Sequence, residues 1–312
     1  MMETAINTTP HTEIVSHPGT NQGIRLFLKR DDLLHPVVQG NKWRKLHLLL
    51  KALRADSVPG ILSFGGPFSN HLHAVAAAGQ HFGFKTAAIL RCSALDAHNP
   101  TLQFLQAAGM DCFPVPKKSY DLGITSPDIQ AIIQLFPEYY ILPEGGSTQL
   151  GVDGCVSIGQ EIIAAFPEET PLHVCVPAGT GCTAAGTLAG MGGRGQLWVF
   201  PAAPYGVDAA KIREYCTAAG YRADTPFECV QEYLFEGFAR FSPVLHAFTS
   251  RFKQETGILL DPIYTSKMMY GVFDLLEKGF FPDQSQVVAV HTGGLQGWDG
   301  FRYRFGAALT GL

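Results

Sequence analysis

The chain has 312 residues, 46% hydrophobic and 16% charged, which excludes an intrinsically disordered polypeptide and leaves room for two lobes or one large domain. Its 23 basic and 27 acidic residues give a net charge of −4 with no Lys/Arg block, so the electrostatic footprint that nucleic acid or an anionic membrane surface requires is missing. Seven cysteines (Cys92, Cys112, Cys155, Cys175, Cys182, Cys216 and Cys229) are scattered singly, and each reads as a reduced, buried thiol.

Residues 1–7 show neither a basic nor an apolar leader pattern, and no later apolar run reaches the roughly 18 residues of a membrane span; the expectation is a cytoplasmic protein. From residue 60 onward short apolar runs alternate with helical periods, the pattern of an α/β protein with helices on parallel sheets. Strands are predicted over 60–64, 85–90, 111–115, 139–142, 172–176, 197–200 and 287–291, most of them buried on both faces. Helices are predicted over 71–81, 101–108, 127–135, 150–166, 183–191, 207–219, 243–256 and 266–278. Gly65-Gly66, Gly145-Gly146, Gly179-x-Gly181 and Gly293-Gly294 each follow a predicted strand. In open parallel sheets ligands bind outside the carboxyl ends of the strands, so these four turns are expected to ring one site, with ordinary strand-to-helix turns as the alternative.

Three segments carry candidate chemistry. In residues 38–46, Lys42 stands just past a glycine turn where a helix start would bring its amine to the cleft. Arg44 and Lys45 as neighbouring cations, with Trp43 excluding water, would depress its pKa toward a nucleophile's; a solvated helix lysine is the plain alternative. In residues 63–74, Ser69 and Asn70 fall at a strand-to-helix junction, as N-caps or as donors to a substrate carboxylate. The spacing does not fit the G-x-S-x-G elbow of a hydrolase, and His71-x-His73 lacks a third metal ligand, so no metal is expected. In residues 176–186, Gly179, Thr180, Gly181, Cys182 and Thr183 follow a buried strand and open a helix whose free N–H groups invite an anion. No Lys follows as in a nucleotide P-loop, which favours one phosphate monoester. The string also fits G-x-G-x-x-A, but no acidic residue ends the next strand to hold a ribose; a dinucleotide or a merely structural turn remain the other readings.

G-N-K-x-R-K-L (40–46), G-G-x-x-S-N-H (65–71), P-x-G-G-S (143–147), the Gly/Thr loop, D-P-x-Y (261–264) and H-T-G-G (291–294) occur in this order. Together, over residues 26–294, they resemble the pyridoxal-phosphate enzymes that include 1-aminocyclopropane-1-carboxylate deaminase and D-cysteine desulfhydrase, with the tryptophan-synthase-like (type II) fold. The resemblance implies that Lys42 carries pyridoxal 5'-phosphate as a Schiff base, Asn70 bonds its phenolic oxygen and Gly179 to Thr183 hold its phosphate. It further implies that Lys42 moves the proton, Ser69 contacts the substrate carboxylate or proton, and Tyr264 touches the cofactor face or the leaving group.

Two departures bear on the reaction. Thr265 replaces the Glu that pairs with the pyridine nitrogen in the deaminase branch, leaving Thr292 as the desulfhydrase-type partner, and Phe238 replaces a tyrosine. A neutral hydroxyl makes a weaker electron sink, which suits β-elimination better than cyclopropane opening. The expectation is therefore a two-lobed enzyme, with residues 45–149 inserted into a larger lobe of 1–44 plus 150–312. It acts on a small amino acid such as D-cysteine and by family habit is a homodimer. The alternatives are cyclopropane deamination, a nicotinamide oxidoreductase and a non-catalytic binding protein.

Overall fold

The computed structural model describes residues 8–204 and 206–309; the leader reading of residues 1–7 lies outside them. Among the described residues ten strands are present: β1 (His11–Ile14), β2 (Arg25–Lys29), β3 (Gly60–Gly65), β4 (Lys85–Arg91), β5 (Met110–Val115), β6 (Tyr140–Leu142), β7 (Leu172–Ala178), β8 (Gln196–Pro201), β9 (Phe227–Cys229) and β10 (Gln286–Val290). The helices are α1 (Asn41–Ala55), α2 (Asn70–Phe82), α3 (Pro100–Ala107), α4 (Lys117–Tyr120), α5 (Pro127–Ile133), α6 (Gln149–Ala165), α7 (Cys182–Met191), α8 (Ala209–Ala218), α9 (Pro243–Thr256), α10 (Thr265–Glu277) and α11 (Gly297–Phe305). All seven predicted strands and eight predicted helices are found within a few residues of the expected bounds; β1, β2, β9, α1, α4 and α11 are additional.

The strands form two sheets. One has the order β5-β4-β3-β6 and is parallel throughout; the other runs β1-β2-β10-β7-β8-β9 and is parallel except for β1. Strands β3 and β7 are buried along their whole length, because helices cover both faces of each sheet. The smaller sheet packs Leu72, Val75 and Leu90 on one face and Leu62, Ile89 and Ile129 on the other. The larger packs Val174 and Val288 against α6 and α7, which carries Leu188, and Leu28 and Val287 against α9 and α10, which carries Met268. The seven cysteines are unpaired, but Cys92, Cys112 and Cys229 are only part-buried, unlike the fully buried thiols expected, because they lie near sheet edges or strand ends. Among the described residues no helix is long and apolar enough to cross a membrane.

A buried ionic cluster fixes α1 to this framework. Arg44 reaches Asp31 through two bonds of 2.6 and 2.8 Å and Glu161 through two of 2.7 and 2.9 Å, while Lys29 donates to Glu161 at 2.5 Å and to Thr9 at 2.6 Å. Burial alone would raise the Asp31 carboxyl, yet the charge and hydrogen bonds of Arg44, then Lys29, hold it below the usual carboxylate range. Removing one partner from such a cluster costs about 3–5 kcal/mol, because it strands the other charge out of water.

Candidate active site

A cavity of about 610 Å³ lies at the carboxyl ends of both sheets and is lined by residues from all four predicted glycine turns. Lys42 is part of its wall, as the second residue of α1. Gly40 caps that helix at φ 61°, and the Asn41 N–H donates to the Thr292 carbonyl at 3.2 Å. A Cβ on Gly40 would lie 1.9 Å from that same oxygen, so only glycine lets the helix start approach the His291–Gly294 turn this closely. Among the described residues the Lys42 amine has no hydrogen-bond partner, and burial, followed by the charge of Lys45, pushes its pKa down to about 7.

The neighbours expected to depress Lys42 are partly corrected. Arg44 turns away into the ionic cluster, and Trp43 stacks on His35 and Phe82 in the core. Lys45 is the effective cation: only 3% exposed, it lines the cavity and donates to the Gly145 carbonyl at 3.0 Å. Its place in the site is something the sequence reading gave only as an electrostatic neighbour.

Ser69 and Asn70 both line the cavity. Ser69 is the N-cap of α2, its Oγ accepting from the Leu72 N–H at 3.2 Å, which leaves its own proton available. The Ser63 hydroxyl donates to the Leu142 carbonyl, so it must accept from His71 Nε2 at 2.8 Å. Nε2 of His71 therefore carries a proton, and burial, then Lys42 and Lys45, hold its pKa well below the ordinary value and so favour the neutral ring. His73 instead stacks on Phe104, with ring centroids 3.8 Å apart.

Helix α7 begins at Gly181 (φ 93°) with no side-chain cap, so the N–H groups of its first turn are free for an anion. Gly179, Thr180, Gly181 and Thr183 line the cavity, whereas Cys182 does not: its side chain is buried and points to the Gly146 carbonyl at 3.9 Å. Cys182 can therefore contribute only its backbone. The two hydroxyls are held in place, Thr183 by Asn41 Nδ2 at 2.9 Å and Thr180 by Ser147 Oγ at 2.7 Å.

Tyr264 packs against Gly179, where a Cβ would come within 3.3 Å of its ring, and it lines the cavity. Asp261 fixes its loop by accepting from the backbone N–H groups of Ile263, Tyr264 and Thr265 at 2.7 to 3.0 Å. The Thr265 hydroxyl donates to the same carboxylate at 2.5 Å and so is turned from the cavity. Thr292 is on the wall, its turn set by His291, which donates from Nε2 to the Leu259 carbonyl and accepts from Gly293 N–H at Nδ1. Phe238 meets the Tyr264 ring edge-on at 5.9 Å, on a loop pinned by the buried Lys267 amine, which donates to the carbonyls of Ala202, Leu234 and Gly237.

An uncapped helix start lined with small residues suits a phosphate, and a part-buried lysine with a lowered pKa suits an aldehyde; both face one cavity and fit a phosphorylated pyridoxal between them. The arrangement defines an α/β enzyme of cofactor-dependent amino-acid chemistry. Residues 4–293 match the pyridoxal-phosphate dependent enzyme family, and the chain belongs to it. The nicotinamide and non-catalytic readings are thereby set aside. The chain is 26% identical to a putative 1-aminocyclopropane-1-carboxylate deaminase of Pyrococcus horikoshii over 93% of its own length and 89% of that protein's. It is 26% identical to a D-cysteine desulfhydrase of Klebsiella pneumoniae, covering 88% and 86% of the two chains. The crystal structure of an ACC deaminase homologue superposes with a TM-score of 0.81 at 23% identity, over 97% of this chain and 94% of the other. The fold is thus the type II fold expected from the resemblance.

Proposed function

We propose that the protein is a lyase catalysing α,β-elimination from a small amino acid, with D-cysteine and water giving pyruvate, ammonia and hydrogen sulfide. The observation that carries this reading is the meeting, on one cavity, of the Lys42 amine and the uncapped start of α7. When bound, pyridoxal phosphate supplies a conjugated ring that takes up the electron pair released at the substrate α-carbon. Gly179, Thr180, Gly181 and Thr183, with the Cys182 backbone N–H, hold its phosphate, and Lys45 adds charge nearby. Asn70 would donate to the ring's phenolic oxygen, and Thr292 would offer its nitrogen a hydroxyl, which does not keep it protonated. Lys42 would hold the cofactor through its amine, and the same amine would take the α-proton. Ser69 would bind the substrate carboxylate or pass on a proton, and Tyr264 would contact the cofactor face or the leaving group.

The reading includes an inserted lobe of residues 45–149 and a larger lobe of 1–44 plus 150–312, supported by strands β3 to β6 forming a sheet of their own. It also includes a cytoplasmic location and, as the resemblance implies, a homodimer. Cyclopropane deamination is the second reading, supported by the naming of several relatives. The test is a screen of D- and L-amino acids and 1-aminocyclopropane-1-carboxylate with the cofactor-loaded protein. Pyruvate and sulfide from D-cysteine are the expected products. Release of 2-oxobutyrate alone would favour the second reading, and no keto acid from any substrate would refute both.

A further inference from the structure

Among the described residues four cations line the cavity, Lys42, Lys45, Arg91 and Arg304, against the single carboxylate of Glu144, in a chain of net charge −4. The first two have uses in the reading above; the arginines do not. Arg91 closes β4 and makes neither an ion pair nor a hydrogen bond among the described residues. Its Nη2 lies 3.9 Å from where a Cβ on Gly66 would sit, beside the turn that leads to Ser69. Its guanidinium carbon stands 5.5 Å from the centroid of the Tyr120 ring, and Tyr120 gives its own hydroxyl proton to Glu144 at 3.0 Å. The lining carboxylate is therefore engaged by a phenol and not by Arg91. Arg304, on α11, donates to the Ala239 carbonyl at 2.9 Å and lies 5.4 Å from the Phe68 ring centroid.

A guanidinium stacked on an aromatic face keeps its N–H edge free, the geometry that receives a carboxylate, sulfonate or phosphate through two parallel bonds. With the substrate α-carboxylate assigned to the Ser69 turn, one such edge is left over. We propose that the preferred substrate carries a second anionic group, at the far end of the group that leaves Cβ, and that Arg91 binds it while Arg304 adds to the attracting field. The proposal rests on the elimination reading and keeps its balance: the bond from Cβ to the leaving group breaks with its electron pair on the leaving group. That group departs protonated, and water supplies the oxygen of pyruvate as ammonia is released.

The test compares S-carboxymethylcysteine with its neutral amide, S-carbamoylmethylcysteine, as D and L forms. The dissociation constants are read from the change in cofactor absorbance on titration, which reports binding with or without turnover. The acid is expected to bind at least about tenfold more tightly than the amide, the size of one charge-assisted hydrogen bond, with the ratio falling as salt is raised. Arg91→Gln should bring the ratio close to one, with Arg91→Lys between. Equal binding of acid and amide by the wild-type protein, or an unchanged ratio in Arg91→Gln, would overturn the proposal. A wild-type protein with no cofactor band at all would remove the elimination reading itself, and the proposal with it.

Discussion

Lys42 and Arg44 are neighbours in sequence, but two residues along an α-helix turn a side chain by about 200°, whereas three bring it back to the same face. Lys45 therefore shares the cavity with Lys42, and Arg44 is buried on the opposite side with Asp31 and Glu161. The consequence is a pH dependence that can be measured. A lysine whose folded pKa is near 7, against an ordinary 10.5, is charged below that pH and neutral above it. Only the neutral amine attacks an aldehyde, so capture of pyridoxal phosphate by the apo-protein should rise through about pH 7. Between that pH and the ordinary lysine value the unfolded chain holds a proton that the folded one has released, so folding stability rises with pH across this window. Lys45→Gln removes a like charge, and the capture midpoint should move upward, by as much as about one unit. A stopped-flow pH profile whose midpoint is unmoved in that variant would show that burial alone sets the amine. Cys182 illustrates the other limit of residue-level reading. A motif names the residue, but its position at the helix start sends the thiol into the core.

At the scale of elements, the strong periodic signals were legible and the short ones were not. β1, β2 and β9 have three to five residues each, all three at or next to a sheet edge, too short for a pattern to emerge. The start of α1 was legible at Lys42, but its length was not, although Trp43, Leu46, Leu49, Leu50 and Leu53 form a buried stripe along it. Helix α11 opens on glycine and carries few of the usual helix formers. The packing of α6 on α7 could not be read from a pattern at all, since it depends on backbones in contact: a Cβ on Gly190 would lie 2.0 Å from the Val156 carbonyl oxygen. Gly190→Ala must push the helices apart and is expected to destabilise the fold by about 1–3 kcal/mol, lowering the thermal midpoint by several degrees. Gly306→Ala, which meets nothing within 4 Å, serves as the control and should change stability by less than about 0.5 kcal/mol. Equal melting of the two variants by calorimetry would count against this view of the helix pair.

For the whole molecule, the placing of the site was legible because it follows from chain direction. β3, β6, β7 and β10 run parallel within their sheets, and the glycine turns after them all line one cavity. What sequence alone did not disclose is the set of walls brought in by tertiary contacts, such as Arg91 and Arg304, and the Lys267 amine that pins the loop of Phe238. The central claim is that the α1 amine and the α7 start hold one molecule between them, and it can be tested by chemistry that marks a single lysine. Loading the protein with pyridoxal phosphate, reducing with borohydride and mapping peptides by mass spectrometry should place the added phosphopyridoxyl group on Lys42. The mark should be absent from Lys42→Ala. Stoichiometric labelling of another lysine, or none in the wild-type protein, would contradict the account.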